Sequence, residues 1–316
     1  MKESHCRRLV FGPVASRRLG RSLGIDLLPP KTCSYNCIYC QLGRTTFKTI
    51  AREEYVPTDE VIRHVCAQLA EIERPDYITF SGSGEPTLHA SLGEIVQAVK
   101  ATTDIPVAIL TNGSLLWDPQ VRHECAQADL VLPSLDAGED WMFRFVNRPH
   151  PDLTFSQVVE GLIAFRREFK RPIWLEVFLL GGITALPREM RKIEPWIERI
   201  KPDRVQINTA VRPTAEEFAF PASVRQLTEF AQMLGNTAEV IADPPALPGM
   251  ATRAATHCAD IVALLARRPS SIEDIAAGLS AHPSEVTECI ATLLANNAIR
   301  IVRKAGRTFF SPVGGP

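Results

Sequence analysis

SLGIDLLPPKTCSYNCIYC, residues 22–40, decides the fold. An apolar β-type run, SLGIDLL, stops at two prolines and hands the chain straight to three cysteines spaced C-x3-C-x2-C. The same kind of run recurs at YITFSG (77–82), VAILTNG (107–113), DLVLPSLD (129–136), IWLEVFLL (173–180), RVQINTAV (204–211) and AEVIA (238–242). Longer amphipathic segments near 59–73, 91–103, 118–128, 156–170, 188–200 and 222–234 alternate with them. Thr58 and Asp59 open the first, and Ser156 stands near the start of the fourth. Strand–helix alternation requires right-handed crossovers and a parallel sheet, so the sequence predicts an α/β partial (βα)6-type barrel. Its site is expected at the carboxyl ends of the strands, where Glu85, Asn112, Asp136 and Asn208 fall. The arm before Ser22 shows no clear period.

DPPALPGMAT, residues 243–252, breaks both periodicities and reads as a linker between residues 1–242 and a small domain at 253–316. Helices are predicted near 256–266, at 272–279 after the pair Ser270 and Glu273, and at 283–296 opened by Pro283. The hairpin IRIV, a turn through Lys304, Ala305 and Gly306, and RTFF follow. That order predicts a winged helix-turn-helix. Its third helix begins PSEVTE, where Glu285 and Glu288 would repel phosphates, so reading a DNA groove is disfavoured. The hairpin arginines Arg300, Arg303 and Arg307, with Lys304, leave RNA backbone contact open, and β-augmentation by a peptide is the other reading.

The 316 residues carry a net charge of −1, with basic residues concentrated in 1–53 (Arg7, Arg8, Arg17, Arg18 and Arg21 among them) and acidic ones in 54–256. The basic arm can meet an anionic substrate or RNA, or pair with the acidic centre. No apolar run reaches the roughly 20 residues of a membrane span, and the N-terminus lacks an export signal, so a cytoplasmic location is expected. Eight cysteines in such a chain point to metal or redox chemistry. Cys6, Cys66, Cys125, Cys258 and Cys289 are scattered and read as small buried hydrophobes.

Three thiolates around a four-iron cube leave one iron open to a ligand. Structural zinc wants four ligands, usually in paired C-x2-C halves, and no second half is present. His5 and His64 sit at no motif spacing. With Tyr39 before the last cysteine, CSYNCIYC resembles the signature of the radical S-adenosylmethionine superfamily. The resemblance implies that Cys33, Cys37 and Cys40 hold one 4Fe-4S cluster. It further implies that the open iron chelates S-adenosylmethionine and that Tyr39 lies against its adenine. SGSGEP (81–86) is similar to the family's Gly-Gly-Glu-Pro motif, with Ser83 where glycine is usual. Gly82 and Gly84 would admit the cofactor closely, and Glu85 would accept from its amino group.

The stretches FGPVASRRLGRSLGIDLLP, LTNGSLL, PSLDA, NRPH, LEVFLLGG and PDRVQINTAVRP, over roughly residues 10–215, resemble a branch related to the archaeal tRNA wyosine synthase proteins. By strand-end position Asn112, Asp136 and Glu176 are candidates for the rest of the cofactor, and Gln206, Asn208 and Arg212 extend that surface. Arg17, Arg18, Asp26, Asn147, Arg148 and His150 are substrate-side candidates, with loop hydrogen bonding the expected role of Asn147 and His150. The expected function is radical hydrogen abstraction from a tRNA base or a peptide, reached through the arm or the small domain, with flavodoxin or ferredoxin as electron donor. An iron-sulfur transcription regulator or redox sensor is the alternative.

Overall fold

The computed structural model describes residues 9–241, 258–279, 281, 283–304 and 306–313. The linker, Cys6, Arg7, Arg8, His5 and Ala305 lie outside the described residues. In chain order the first half contains β1 (Val10–Ser16), β2 (Gly20–Ile25), β3 (Thr32–Cys33), β4 (Phe47–Lys48), α1 (Thr58–Glu71), β5 (Tyr77–Phe80), α2 (Leu92–Thr102), β6 (Val107–Thr111), α3 (Pro119–Cys125), β7 (Leu130–Pro133) and α4 (Asp140–Val146). There follow α5 (Phe155–Glu168), β8 (Trp174–Leu179), α6 (Pro187–Ile200), β9 (Arg204–Thr209), α7 (Val224–Leu234) and β10 (Ala238–Val240).

Strands run β1-β2-β5-β6-β7 in one sheet and β8-β9-β10 in another. The parallel bridges Val131 to Ile173 and Ser134 to Glu176 join the two, so the strands follow one another in chain order. Every pair is parallel except β1 with β2. No ladder closes β10 onto β1 among the described residues. All seven expected strands and six expected helices are present; additional are β1, α4 and the two-residue strands β3 and β4. β1 escapes a period-2 reading because its register slips between Phe11 and Val14, around Gly12 and Pro13. α4 is only seven residues, and apolar residues surround it: Met142, Phe143 and Val146 are buried whereas Trp141 and Phe145 are exposed. No stripe is left to detect.

Local signals explain the helix starts. Thr154, not Ser156, caps α5 in a reciprocal capping box with Gln157, and Ser223 does the same for α7 with Gln226. Pro187 opens α6 at a position that needs no N–H. Cys125 is buried, Cys258 and Cys289 are half-buried, and Cys66 is exposed, on the solvent side of α1.

Beyond the linker, α8 (Cys258–Leu265), α9 (Ile272–Leu279) and α10 (Pro283–Ala295) precede a hairpin of β11 (Ile299–Lys304) and β12 (Arg307–Pro312). This unit has its own core of Ile261, Leu265, Ile275, Val286, Ile290 and Phe310. Ser270 pairs with Phe310, tying the α8–α9 connection to the hairpin. Two ion pairs bind the unit to the main sheet, Arg212–Asp274 (2.7 Å) and Arg267–Asp26 (3.5 Å). No helix of the described residues is long and apolar enough to cross a membrane.

Candidate active site

The cysteine loop is anchored at both feet. β3 and β4 pair in parallel, with Cys33 opposite Lys48, so the chain leaves and returns at one place. The loop's far side is held by the residues after α4. Asn36 N donates to Asn147 O (3.0 Å), Ile38 N to Val146 O (2.9 Å) and His150 N to Ser34 O (2.8 Å). The segment NRPH therefore fixes the loop through its backbone, and the Arg148 side chain is spent on Glu216 (2.5 Å). Val146, Asn147 and His150 thus position the cysteines through their backbone, while the side chains of Arg148 and His150 stay partly exposed.

Cys33, Cys37 and Cys40 line one cavity of about 210 Å3 together with Ser83, Gly84 and Asn112. Among the described residues, no three thiol, imidazole or carboxylate groups converge on a single ion position. Ring placement around a cavity suits a multi-iron cluster better than one zinc ion. Amide donors reach the sulfurs: Tyr35 N and Asn112 Nδ2 each stand 3.5 Å from Cys33 Sγ, and Asn147 Nδ2 stands 3.6 Å from Cys37 Sγ. Burial pushes the Cys33 thiol up to about 12, and burial with the neighbouring cysteines also raises Cys37. Burial raises Cys40 too. Thiols in that state become ligands only when a cationic centre replaces their protons. Lys31 Nζ is buried in the same cavity without a hydrogen-bond partner, a cation waiting for an anionic group there. The donor set and the orphaned ammonium fit a thiolate-bound cluster with a carboxylate-bearing cofactor beside it.

The SGSGEP turn is packed against the strand that delivers Cys33. A Cβ at Gly84 would lie 1.8 Å from Thr32 O, and one at Gly82, where φ is +136°, would lie 2.5 Å from Asp26 Cγ. Both positions require glycine. Lys31 N donates to Ser83 O (2.9 Å) and Glu85 N to Thr32 O (3.2 Å). Ser83, the departure from the family motif, donates its hydroxyl to Asp26 Oδ2 (2.6 Å) and so ties the turn to the end of β2.

Glu85 is buried among donors of the chain. Its Oε1 accepts from Thr87 N (3.1 Å), Thr87 Oγ1 (2.6 Å) and Thr111 Oγ1 (2.5 Å), and its Oε2 accepts from Asn112 N (2.7 Å). A carboxylate oxygen with one donor keeps a lone pair for an amino group. Glu85 also pins Asn112, whose side chain donates to Ser34 Oγ (2.9 Å) and faces Cys33. Thr87 and Thr111 were not singled out from the sequence; Thr111 ends β6 and Thr87 stands two residues after Glu85, and a hydroxyl at such places is the signal that could have found them.

Asp136 sits at the centre of the opposite wall. It accepts from the Tyr39 hydroxyl, from Asn147 Nδ2 (2.7 Å) and from Phe178 N (3.0 Å). Tyr39 stacks on Phe178 with ring centroids 4.1 Å apart, so one face expected for adenine is covered by protein. Glu176 lines the cavity and pairs with Arg18 (2.5 Å), while Asn208 Nδ2 donates to it (2.7 Å). Asn208 Oδ1 in turn accepts from Arg17 (3.2 Å). Gln206, the register partner of Glu176 on β9, donates to Glu239 (2.8 Å). The arm's arginines thus enter the site by crossing the open side of the sheet, which their sequence position could not reveal.

Burial pushes Asp136 up to about 6 from an ordinary 3.8, against the pull of its donors. A raised acid holds its proton more tightly in the folded state, so its contribution to stability falls as pH rises from about 4 to about 6. The loss amounts to roughly 3 kcal/mol at most. Denaturant unfolding of cluster-free protein should show Asp136→Asn gaining on the wild type across that window. A difference that stays constant with pH would contradict this reading of Asp136.

The sequence model of the Radical SAM superfamily matches residues 27–192, which include all three cysteines and the SGSGEP turn. The chain belongs to the radical SAM superfamily. Its members use a 4Fe-4S cluster and S-adenosylmethionine, and those are its cofactors. The chain is similar to UPF0026 protein MJ1312 of Methanocaldococcus jannaschii, 39% identical over 70% of this chain and 69% of that protein. It is also 42% identical to a protein of Brachyspira hyodysenteriae named GTPase Obg, over 92% of this chain. The match spans 43% of that protein, less than half its length. The present sequence holds no G-x4-G-K-[ST] phosphate loop. Among solved structures it resembles a radical SAM methyltransferase from Sphaerobacter thermophilus, with TM-score 0.51 and 17% identity over 69% of this chain and 65% of that one. That likeness concerns the fold.

Proposed function

We propose that this chain reductively cleaves S-adenosylmethionine and uses the resulting radical to abstract hydrogen from an anionic substrate, a tRNA base. The observation that carries the first part is the convergence of three cysteine sulfurs, their amide donors and the glycine turn on one cavity. The chemistry supplied when both cofactors are bound is one-electron cleavage of the sulfonium bond to methionine and a 5′-deoxyadenosyl radical. The chain's own residues prepare for it. Lys31 brings positive charge for a carboxylate, Asn112 and Asn147 steady the sulfurs, and the apolar walls of Leu110 and Leu132 exclude water.

The tRNA reading rests on the resemblance to the wyosine synthase branch and on the arginines that reach the cavity wall. We read the open sheet as a partial (βα)6-type barrel and the three helices with their hairpin as a winged helix-turn-helix. That unit joins the sheet through Arg212, immediately beside the cysteine loop, which supports a role in recruiting substrate. The electron comes from a flavodoxin or ferredoxin in this account. Nothing in the comparisons supports a transcription regulator. Anaerobic incubation with dithionite, S-adenosylmethionine and total tRNA tests the proposal. It should yield 5′-deoxyadenosine together with a mass change in one tRNA nucleoside. Cleavage without any nucleoside change would remove tRNA as the substrate.

A further inference from the structure

Arg212 leaves the end of β9 and is 8% exposed. Its Nη2 pairs with Asp274 (2.7 Å), and its Nη1 reaches Gln41 Oε1 (3.5 Å), next to Cys40. Its Nε is buried without a hydrogen-bond partner. Arg268, just past α8, stands within electrostatic reach of Arg212, Arg17 and Arg267, with Asp274 the acid beside it. Among the described residues its guanidinium makes no hydrogen bond or ion pair. Burial and these neighbouring arginines lower it to about 9, and burial with Arg212 and Arg18 lowers Arg17 to about 10. Arg267 is held in place by Asp26 (3.5 Å) and by the Phe11 ring, whose centroid lies 3.8 Å from the guanidinium carbon.

Guanidinium groups are gathered against their mutual repulsion only where an anion repays the cost. Among the described residues, Arg212 Nε and the Arg268 fork have no partner. We propose that Arg17, Arg212, Arg267 and Arg268 form a receptor for a phosphate group of the substrate, at the junction of the C-terminal unit with the mouth of the sheet. Phosphate carries up to two charges and accepts from several forks at once, whereas one fork satisfies a carboxylate. The place is appropriate: Gln41 adjoins the cysteine loop, and Arg17 bonds to Asn208, which bonds to the cavity's Glu176. The inference rests on the radical-enzyme reading above and assigns the substrate a phosphate near its reacting centre. Both a phosphomonoester and a nucleic-acid phosphodiester offer that chemistry.

Thermal unfolding of the cluster-loaded protein tests it. Sodium phosphate at 10 mM should raise the wild-type midpoint by about 5 °C over sodium chloride of equal ionic strength. Arg268→Gln should lose most of that rise and, by relieving repulsion, melt no lower than wild type in chloride. Arg268→Lys, which keeps the charge but not the fork, should retain part of it. Titrations with a nucleoside 5′-monophosphate and with tRNA then separate the sources. Protection by the monophosphate marks a phosphomonoester site, and protection by tRNA alone marks a backbone site; either supports the receptor. The proposal is overturned if phosphate, monophosphate and tRNA all give no more than chloride does, or if Arg268→Gln responds as wild type. Should that happen while the same preparation still cleaves S-adenosylmethionine, only the phosphate receptor is lost.

Discussion

Cys33→Ala, Cys37→Ala and Cys40→Ala proteins, reconstituted anaerobically with iron and sulfide, are each expected to hold less than a tenth of the iron bound by the wild type. The wild type should carry about four irons and four sulfides per chain. Three thiolates are the minimum set that leaves one iron open, so removing any one leaves a cube with two protein ligands and two exposed irons. The loop is held by backbone bonds to the residues after α4, not by the cysteines themselves. The variants should therefore fold, and circular dichroism should match the wild type. Full iron content in all three would show that the cluster is bound elsewhere.

Glu85→Ala is expected to destabilise the apoprotein severely. Four donors lose their acceptor at once, and two of them are backbone amides, Thr87 N in the turn after SGSGEP and Asn112 N just past β6. An unsatisfied buried donor costs about 1–3 kcal/mol, and water entering the space left behind offsets part of the sum. A net loss of roughly 4 kcal/mol, or about 10 °C in midpoint, is expected for a chain of this size. Glu85→Gln keeps the acceptor oxygen and should cost less than half as much. If Glu85→Ala melted normally and only weakened binding of S-adenosylmethionine, the carboxylate would be a cofactor ligand and not a structural acceptor.

The sequence revealed the strands because β6 and β7 are nearly continuous apolar runs bounded by turn residues, the pattern of strands buried on both faces, whereas β9 alternates apolar with polar residues. The cysteine spacing and the glycine turn were legible for the same reason: each is local. What escaped is what depends on distant residues meeting. Nothing near Glu85 says that Thr111, 26 residues on, will take up its carboxylate. Nothing in the arm says that Arg17 will reach Asn208 across 191 residues of chain. Only the docking of the C-terminal unit places Arg268 among Arg17, Arg212 and Arg267. β1 was lost because its register slips midway, and α4 because its apolar residues encircle it.

The most direct measurement of the central claim is the yield of 5′-deoxyadenosine and methionine when the reconstituted protein is reduced with dithionite in the presence of S-adenosylmethionine. Formation of both in equal amounts, absent without reductant and absent in Cys37→Ala, is the result predicted. A cluster that forms with full iron content and reduces, yet yields neither product, would contradict the account.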